Sequence, residues 1–140
     1  MISPLVADLT LPNDLRRLLA LNIFDLLPWY LFRQKETFAF ASKAFANEDI
    51  KRRSVLTFAS RQDCDDFAGL QIVDGRITSR VIYFHPVFGP ASSAEAANND
   101  RTHNICMGTY PDVFSFLSEV IVRDMRECAA REDATEIEFE

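Results

Sequence analysis

The chain has 140 residues and a formal net charge of −6 at pH 7, with 12 phenylalanines and only 4 glycines. A chain of this length can bury a hydrophobic core as one domain, and its apolar content excludes intrinsic disorder. The negative charge argues against non-specific binding to nucleic acid or to an anionic membrane surface, because both need a basic patch. If the partner is charged, the composition favours a basic one.

Neither a membrane span nor a secretory signal is expected from the N-terminal region. Asp14, Arg16 and Asp25 interrupt its most apolar stretch, and residues 1–4 carry no positive side chain. The 3 cysteines are odd in number, widely spaced and free of any C-x-x-C pattern. This usage indicates reduced thiols in the cytoplasm rather than a disulfide framework or a zinc site, and we expect no cofactor.

Two helices are predicted in the N-terminal third of the chain. Leucine and isoleucine recur on one stripe across residues 11–26, and the hydroxyl of Thr10 can cap this helix. Pro28 closes the region, and an aromatic segment follows at 29–32. The second helix, over 36–47, is predicted from the helical spacing of its apolar side chains and from its alanines.

Three strands are predicted in the centre of the chain, over residues 54–59, 67–73 and 80–85. The last of these segments is rich in the β-branched and aromatic residues that favour strands. Asp74-Gly75 separates the last two and is typical of a tight hairpin turn, so we expect antiparallel pairing. The long connection over 86–103 is either functional or disordered.

A short strand near 104–107 and an amphipathic helix complete the predicted elements. Thr109 and Asp112 have the spacing of a capping box, and apolar residues then recur at helical spacing up to an acidic tail at 132–140. The sequence shows no internal repeat and no linker, so we predict a single domain over 1–140.

Three carboxylates lie between the first two central strands, at Asp63, Asp65 and Asp66. One interpretation is a divalent metal site, because hard cations prefer several carboxylate oxygens. The stretch lacks the Gly and Glu positions of an EF-hand loop, however, and no distant ligand is evident. The alternatives are a structural turn in which Arg61 or another base pairs with these acids, and a surface that binds a partner.

A cysteine–histidine nucleophilic pair is a further alternative, since His85 and His103 flank the long connection and Cys106 follows it. Such a pair needs an activated thiol and an oxyanion pocket, and no glycine-rich or elbow-like motif supplies one. Cys106 lies in an apolar, strand-like segment, which is typical of a small core residue. The residues therefore favour a non-enzymatic role.

Four parts of the chain are predicted to contact a protein partner: the acidic turn, the segment with Trp29, the long connection and the acidic tail. Trp29 belongs to the residue types enriched at binding hot spots, and packing against the sheet is its alternative role. The long connection and the acidic tail are the other candidates, with solvated, mobile segments as the alternative. The predicted partner-binding residues are Asp63, Asp65, Asp66, Trp29, Glu95 and Asp100.

Three blocks, in this order, resemble the SUKH superfamily, which contains immunity proteins of bacterial toxin systems and a fungal cell-wall regulator. The central block is the most specific: an apolar strand, a basic residue and a D-x-D-D turn that leads into another strand. It departs from the family at Thr57, where Pro is common, and at Cys64, where Asn is frequent. The blocks are Pro28-Trp29, residues 56–68, and Tyr110 with Phe114, Phe116 and Leu117.

The resemblance implies an α+β fold with a mainly antiparallel sheet flanked by an N-terminal and a C-terminal helix. It also implies binding rather than catalysis, namely the neutralisation of a cognate toxin in the cell that makes it. We expect an acidic surface to occlude a basic face of that toxin. A regulatory scaffold of the same fold without a toxin partner is the alternative, and a Cys/His hydrolase and a calcium-binding module are two others.

Overall fold

The computed structural model describes residues 2–88 and 104–137. In this part of the chain, six strands form one antiparallel sheet and follow one another in chain order from edge to edge. The strands are Asp25–Leu26 (β1), Trp29–Leu31 (β2), Ser54–Arg61 (β3), Phe67–Val73 (β4), Arg76–Phe84 (β5) and Cys106–Tyr110 (β6). The helices are Asn13–Ala20 (α1), Ala39–Glu48 (α2), Val113–Phe116 (α3) and Val122–Ala129 (α4), and a π-helical segment, Leu117–Ile121, joins the last two. The expected α+β class is confirmed.

Alternate residues of β5 point to opposite faces of the sheet, and each face is covered by different helices. Val81 and Tyr83 belong to a core that includes residues of α1 and of the helical segment 113–129. Ile82 and Phe84 belong to a second core that includes Phe45 of α2. The sheet therefore lies between the two terminal helical segments on one side and α2 on the other.

The central hairpin forms as the sequence predicts. Asp74 and Gly75 have φ values of 50° and 76°, the left-handed conformation that a two-residue hairpin turn requires. Strand β4 has the predicted bounds, and it pairs antiparallel with β5 from Val73↔Arg76 onward. The preceding turn of the chain, residues 62–66, lies at the opposite end of β4.

The predicted helix over 11–26 is wrong in its second half. Helix α1 ends at Ala20, and Asn22 adopts a left-handed φ of 57°. Leu26 then pairs with Trp29 as part of β1, while Ile23 is exposed. The helical spacing of apolar residues therefore continues past the end of α1, but Leu26 belongs to an edge strand of the sheet.

Two predicted helix caps are also wrong. The Thr10 hydroxyl donates to the Asp8 carboxylate, and a proline without a side-chain cap precedes α1. Thr109 lies within β6, and the Asp112 carboxylate caps α3 by accepting the Ser115 backbone N–H at 2.8 Å. An aspartate therefore caps α3, whereas no side chain caps α1.

The C-terminal helical segment differs from a plain α-helix because of its π-helical turn. This wider turn lets consecutive residues, Val120 and Ile121, both enter the core. One turn later Asp124 is 1% exposed although it is charged. The segment is therefore attached to the sheet by a buried carboxylate as well as by apolar contacts.

Candidate functional site

The acidic turn, residues 62–66, joins β3 to β4 at one end of the sheet. The Arg61 backbone N–H donates to the Asp66 carbonyl at 2.9 Å and closes the turn. Residues 62–65 are exposed, whereas the Asp66 side chain is turned inward and buried. The predicted cluster of three carboxylates is therefore divided between the surface and the interior.

Asp63 is the surface carboxylate that Arg61 holds in place. The guanidinium donates from Nε to Asp63 Oδ1 at 2.5 Å and from Nη2 to Oδ2 at 3.0 Å. This hydrogen-bonded pair lowers the pKa of Asp63 from its ordinary value and raises that of Arg61. The expectation that Arg61 pairs with the acids of the turn is confirmed for Asp63, and the turn keeps its negative charge in a defined geometry.

Arg61 also connects the turn to the interior. Its Nη1 donates to Asp124 Oδ2 at 3.1 Å, and the same oxygen accepts the Trp29 indole N–H at 2.9 Å. Trp29 is fully buried and packs edge-on against Tyr83 and against a phenylalanine of α3. It thus occupies the core position that the sequence left as its alternative role, and we do not retain it as a contact residue.

Asp66 is the buried carboxylate of the turn. Its Oδ2 accepts the Tyr83 hydroxyl at 2.5 Å, and its Oδ1 lies 2.6 Å from Nδ1 of His85. Burial raises the pKa of Tyr83, and the hydrogen bond to Asp66 raises it further. The His85 side chain is half-exposed, so the contact with Asp66 links the interior of the turn to the surface.

Cys64 lies at the exposed tip of the turn but is not an activated thiol. Partial burial and then the charges of Asp66 and Asp63 raise its pKa to about 11. A thiol with this pKa is almost fully protonated at neutral pH and is a poor nucleophile. The turn therefore lacks the electropositive surroundings that a catalytic cysteine requires.

Of the cysteine–histidine pair that the sequence left open, the described residues include His85 and Cys106, and each has another contact. His85 Nδ1 is engaged by Asp66, and the Cys106 thiol contacts the Gly108 carbonyl at 3.7 Å. His103 lies outside the described residues, as do Glu95 and Asp100. Across residues 2–88 and 104–137, no group of three or more His, Cys, Asp or Glu side chains could hold a metal ion.

An aromatic surface adjoins the turn through Phe67, the first residue of β4. Phe67 is buried, and two exposed rings contact it: Phe40 of α2 at 5.6 Å and Phe88 at 6.2 Å between centroids. Neither exposed ring was identified from the sequence. Phe40 lies off the apolar stripe of the second predicted helix, and this mismatch is the signal that could have revealed it.

An open groove of about 970 Å³ borders the same turn at Gln62 and Asp63. Its other walls come from the turn before β2, from the end of α4 and from the exposed residues after it, including Arg131 and Ile137. The lining mixes charged and apolar groups. The groove therefore extends the exposed surface of the turn and does not form an enclosed ligand site.

Comparison with known proteins found no matching family model, no matching curated protein and no matching solved structure.

None of the helices in the described ranges combines the length and apolarity needed to cross a membrane.

Proposed function

We propose that this chain is a non-enzymatic protein-binding domain, and that it acts as an immunity protein by occluding a basic face of a cognate toxin. The observation that carries the proposal is the acidic turn, whose resemblance to the SUKH central block coincides with two exposed carboxylates, one of them held in place by Arg61. Asp63 is held by Arg61, and the exposed side chain of Asp65 lies two residues further on. The domain has a net charge of −6, which favours a basic partner.

Preorganisation is the physical reason for placing contacts at this turn. The backbone is closed by the bond from Arg61 to Asp66, and the buried Asp66 side chain is bonded to β5 and to His85 just beyond it. A partner that docks here orders little additional chain, so less conformational entropy is lost on binding. Exposed carboxylates at the rim accelerate the encounter with a basic protein, and this acceleration falls as salt is added.

Affinity purification of the tagged chain from its native cells, with mass spectrometry of the bound proteins, tests the proposal. We expect one stoichiometric partner with a basic domain, and we expect purified chain to inhibit the activity of that domain in vitro. An eluate without a stoichiometric partner, or a partner whose activity is unaffected by binding, contradicts the immunity function.

Asp65→Asn tests the role of the turn in that complex, because it removes one exposed charge and leaves the pairs of Asp63 and Asp66 intact. We expect about two- to fivefold weaker binding, mainly through slower association, with a smaller dependence on salt. Asp74→Asn is the matched control, since Asp74 is exposed in the turn at the other end of β4 and Asn tolerates its left-handed φ of 50°. Equal effects of the two variants refute a specific role for the acidic turn.

A further inference from the structure

Two exposed phenylalanine rings form a stacked pair beside the acidic turn. The centroids of Phe40 and Phe88 lie 6.2 Å apart with an interplanar angle of 27°. Phe40 is 57% exposed and Phe88 is 40% exposed, and the adjacent Val87 is 52% exposed. Both rings rest edge-on against the buried Phe67, so this apolar surface is continuous with the core.

A buried carboxylate fixes the backbone that presents Phe88. Glu48 is 3% exposed, and its Oε1 and Oε2 accept the backbone N–H groups of Val87 at 2.6 Å and of Phe88 at 3.2 Å. Phe88 has a φ of 54°, a left-handed conformation that is unfavourable for a bulky side chain. Backbone strain of this kind persists where surrounding contacts enforce it, and it is concentrated at functional positions.

The two rings are positioned by the same helix. Phe40 is in the first turn of α2, and Glu48 is its last residue. Helix α2 therefore supplies one ring directly and holds the other through its terminal carboxylate. Rigid aromatic side chains of this kind provide contact area with little loss of conformational entropy, as hot-spot residues do.

The charges near the pair in the chain indicate the kind of partner it fits. The exposed Asp65 is two residues before Phe67, and the half-exposed His85 is two residues before Val87. Lys43 is exposed one turn beyond Phe40 along α2. The carboxylate of Asp65 thus gives the region between the acidic turn and the aromatic pair a negative charge, which complements basic side chains of a partner.

We propose that the stacked pair of Phe40 and Phe88 anchors a protein partner that inserts an aromatic or aliphatic side chain flanked by lysine or arginine. The inserted side chain packs on the two rings, and its basic neighbours contact the acidic turn. The inference rests on the proposed function for the direction of charge complementarity.

Titration of the isotope-labelled full chain with two short peptides, followed by NMR, tests this assignment. One peptide has a tryptophan flanked on each side by Arg and Lys, and the other has the same tryptophan flanked by Glu and Asp. We expect the basic peptide to perturb the amides of residues 36–44, 65–67 and 85–88, with the acidic peptide binding at least about fivefold more weakly.

Phe40→Ala should weaken binding of the basic peptide about fivefold or more, as loss of a hot-spot side chain does. Phe114→Ala is the matched control, because Phe114 is 46% exposed on α3 and belongs to a different surface. Both substitutions remove exposed rings, so their melting temperatures should remain close to that of the parent chain. Glu48→Gln should speed hydrogen exchange at the Val87 and Phe88 amides, since one carboxylate oxygen is replaced by an NH2 group.

Several results overturn the assignment. They are perturbation of amides elsewhere, equal binding of the two peptides, no binding of the basic peptide at about 1 mM, and equal effects of the two alanine variants. The proposed function can fail separately. A native partner that depends on Asp65 but not on Phe40 overturns only the anchor, whereas peptide binding at the pair without any native partner overturns only the immunity role.

Discussion

Replacement of Asp124 tests how the C-terminal helical segment is attached to the sheet. Asp124 is 1% exposed, and its Oδ2 accepts the Trp29 indole N–H at 2.9 Å and Arg61 Nη1 at 3.1 Å. Its Oδ1 accepts from Arg123 at 3.1 Å. Removal of the carboxylate leaves a buried indole N–H and a mostly buried guanidinium without this acceptor.

The two substitutions Asp124→Ala and Asp124→Asn should differ in size. Loss of one partner from a buried charge pair costs about 3–5 kcal/mol, and a buried N–H without an acceptor costs about 1–3 kcal/mol. In the alanine variant Arg61 keeps its bonds to Asp63, and these offset part of the two losses. We therefore expect the free energy of unfolding of this variant to fall by about 3–5 kcal/mol. The asparagine variant retains one acceptor oxygen and should lose about 1–3 kcal/mol.

Urea unfolding monitored by circular dichroism measures both values. Arg123→Ala is the control, because Arg123 bonds to the same carboxylate with a side chain that is 53% exposed, and its loss should cost less than about 1 kcal/mol. Trp29→Phe removes the indole N–H and keeps an aromatic ring, so a double-mutant cycle with Asp124→Asn should give a coupling of at least about 0.5 kcal/mol. If Asp124→Ala destabilises no more than Arg123→Ala, the buried network does not hold the helix to the sheet.

Three further predictions follow from other contacts. Cys64, with a pKa of about 11, should react with iodoacetamide at pH 8 on the order of a hundredfold more slowly than an ordinary exposed thiol, and rapid labelling there would contradict the raised pKa. A methyl group at Gly69 would lie 2.7 Å from Cβ of Val55, so Gly69→Ala should lower the free energy of unfolding by about 1–3 kcal/mol in the same urea assay, and an unchanged value would show that the strands separate freely. Burial opposes ionisation of Asp49, but its hydrogen bonds to Arg53 outweigh this effect and lower its pKa, so its contribution is present above pH of about 4 and is lost as pH falls below that value. Asp49→Asn should therefore lose less stability than the parent chain when urea titrations are compared between pH of about 5 and about 3, and equal losses would contradict this assignment.

Local patterns were sufficient for the elements whose cause is local. The Asp74-Gly75 turn and the strand 67–73 were predicted correctly because a left-handed turn and the apolar segment that leads into it are properties of a few neighbouring residues. The helix over 36–47 was also confirmed, as α2 with shifted bounds. The helix over 11–26 failed where Leu26 was recruited to the edge of the sheet, which depends on residues of β2.

The acidic turn also combines features that depend on neighbouring residues with features that depend on distant ones. Its composition indicated a cluster of three carboxylates, and its pairing with Arg61 was expected. The inward turn of Asp66 toward Tyr83 and His85 was not predictable, because those residues come from a strand whose register is set by long-range pairing. The surface formed by Phe40 and Phe88 was not predictable either, because these residues are 48 positions apart in the chain and both contact Phe67.

Composition and short-range patterns are enough to predict the α+β class, the central hairpin, the negative charge and the position of the acidic turn, since each depends on overall composition or on residues close in the chain. Which carboxylates face water, and where the aromatic surface lies, depends instead on the packing of the folded chain. This packing also places Trp29 in the core, where its indole N–H meets a carboxylate 95 positions away in the chain. Burial and hydrogen-bond pairing depend on residues distant in sequence, and a side chain's role changes with the neighbours that folding brings to it.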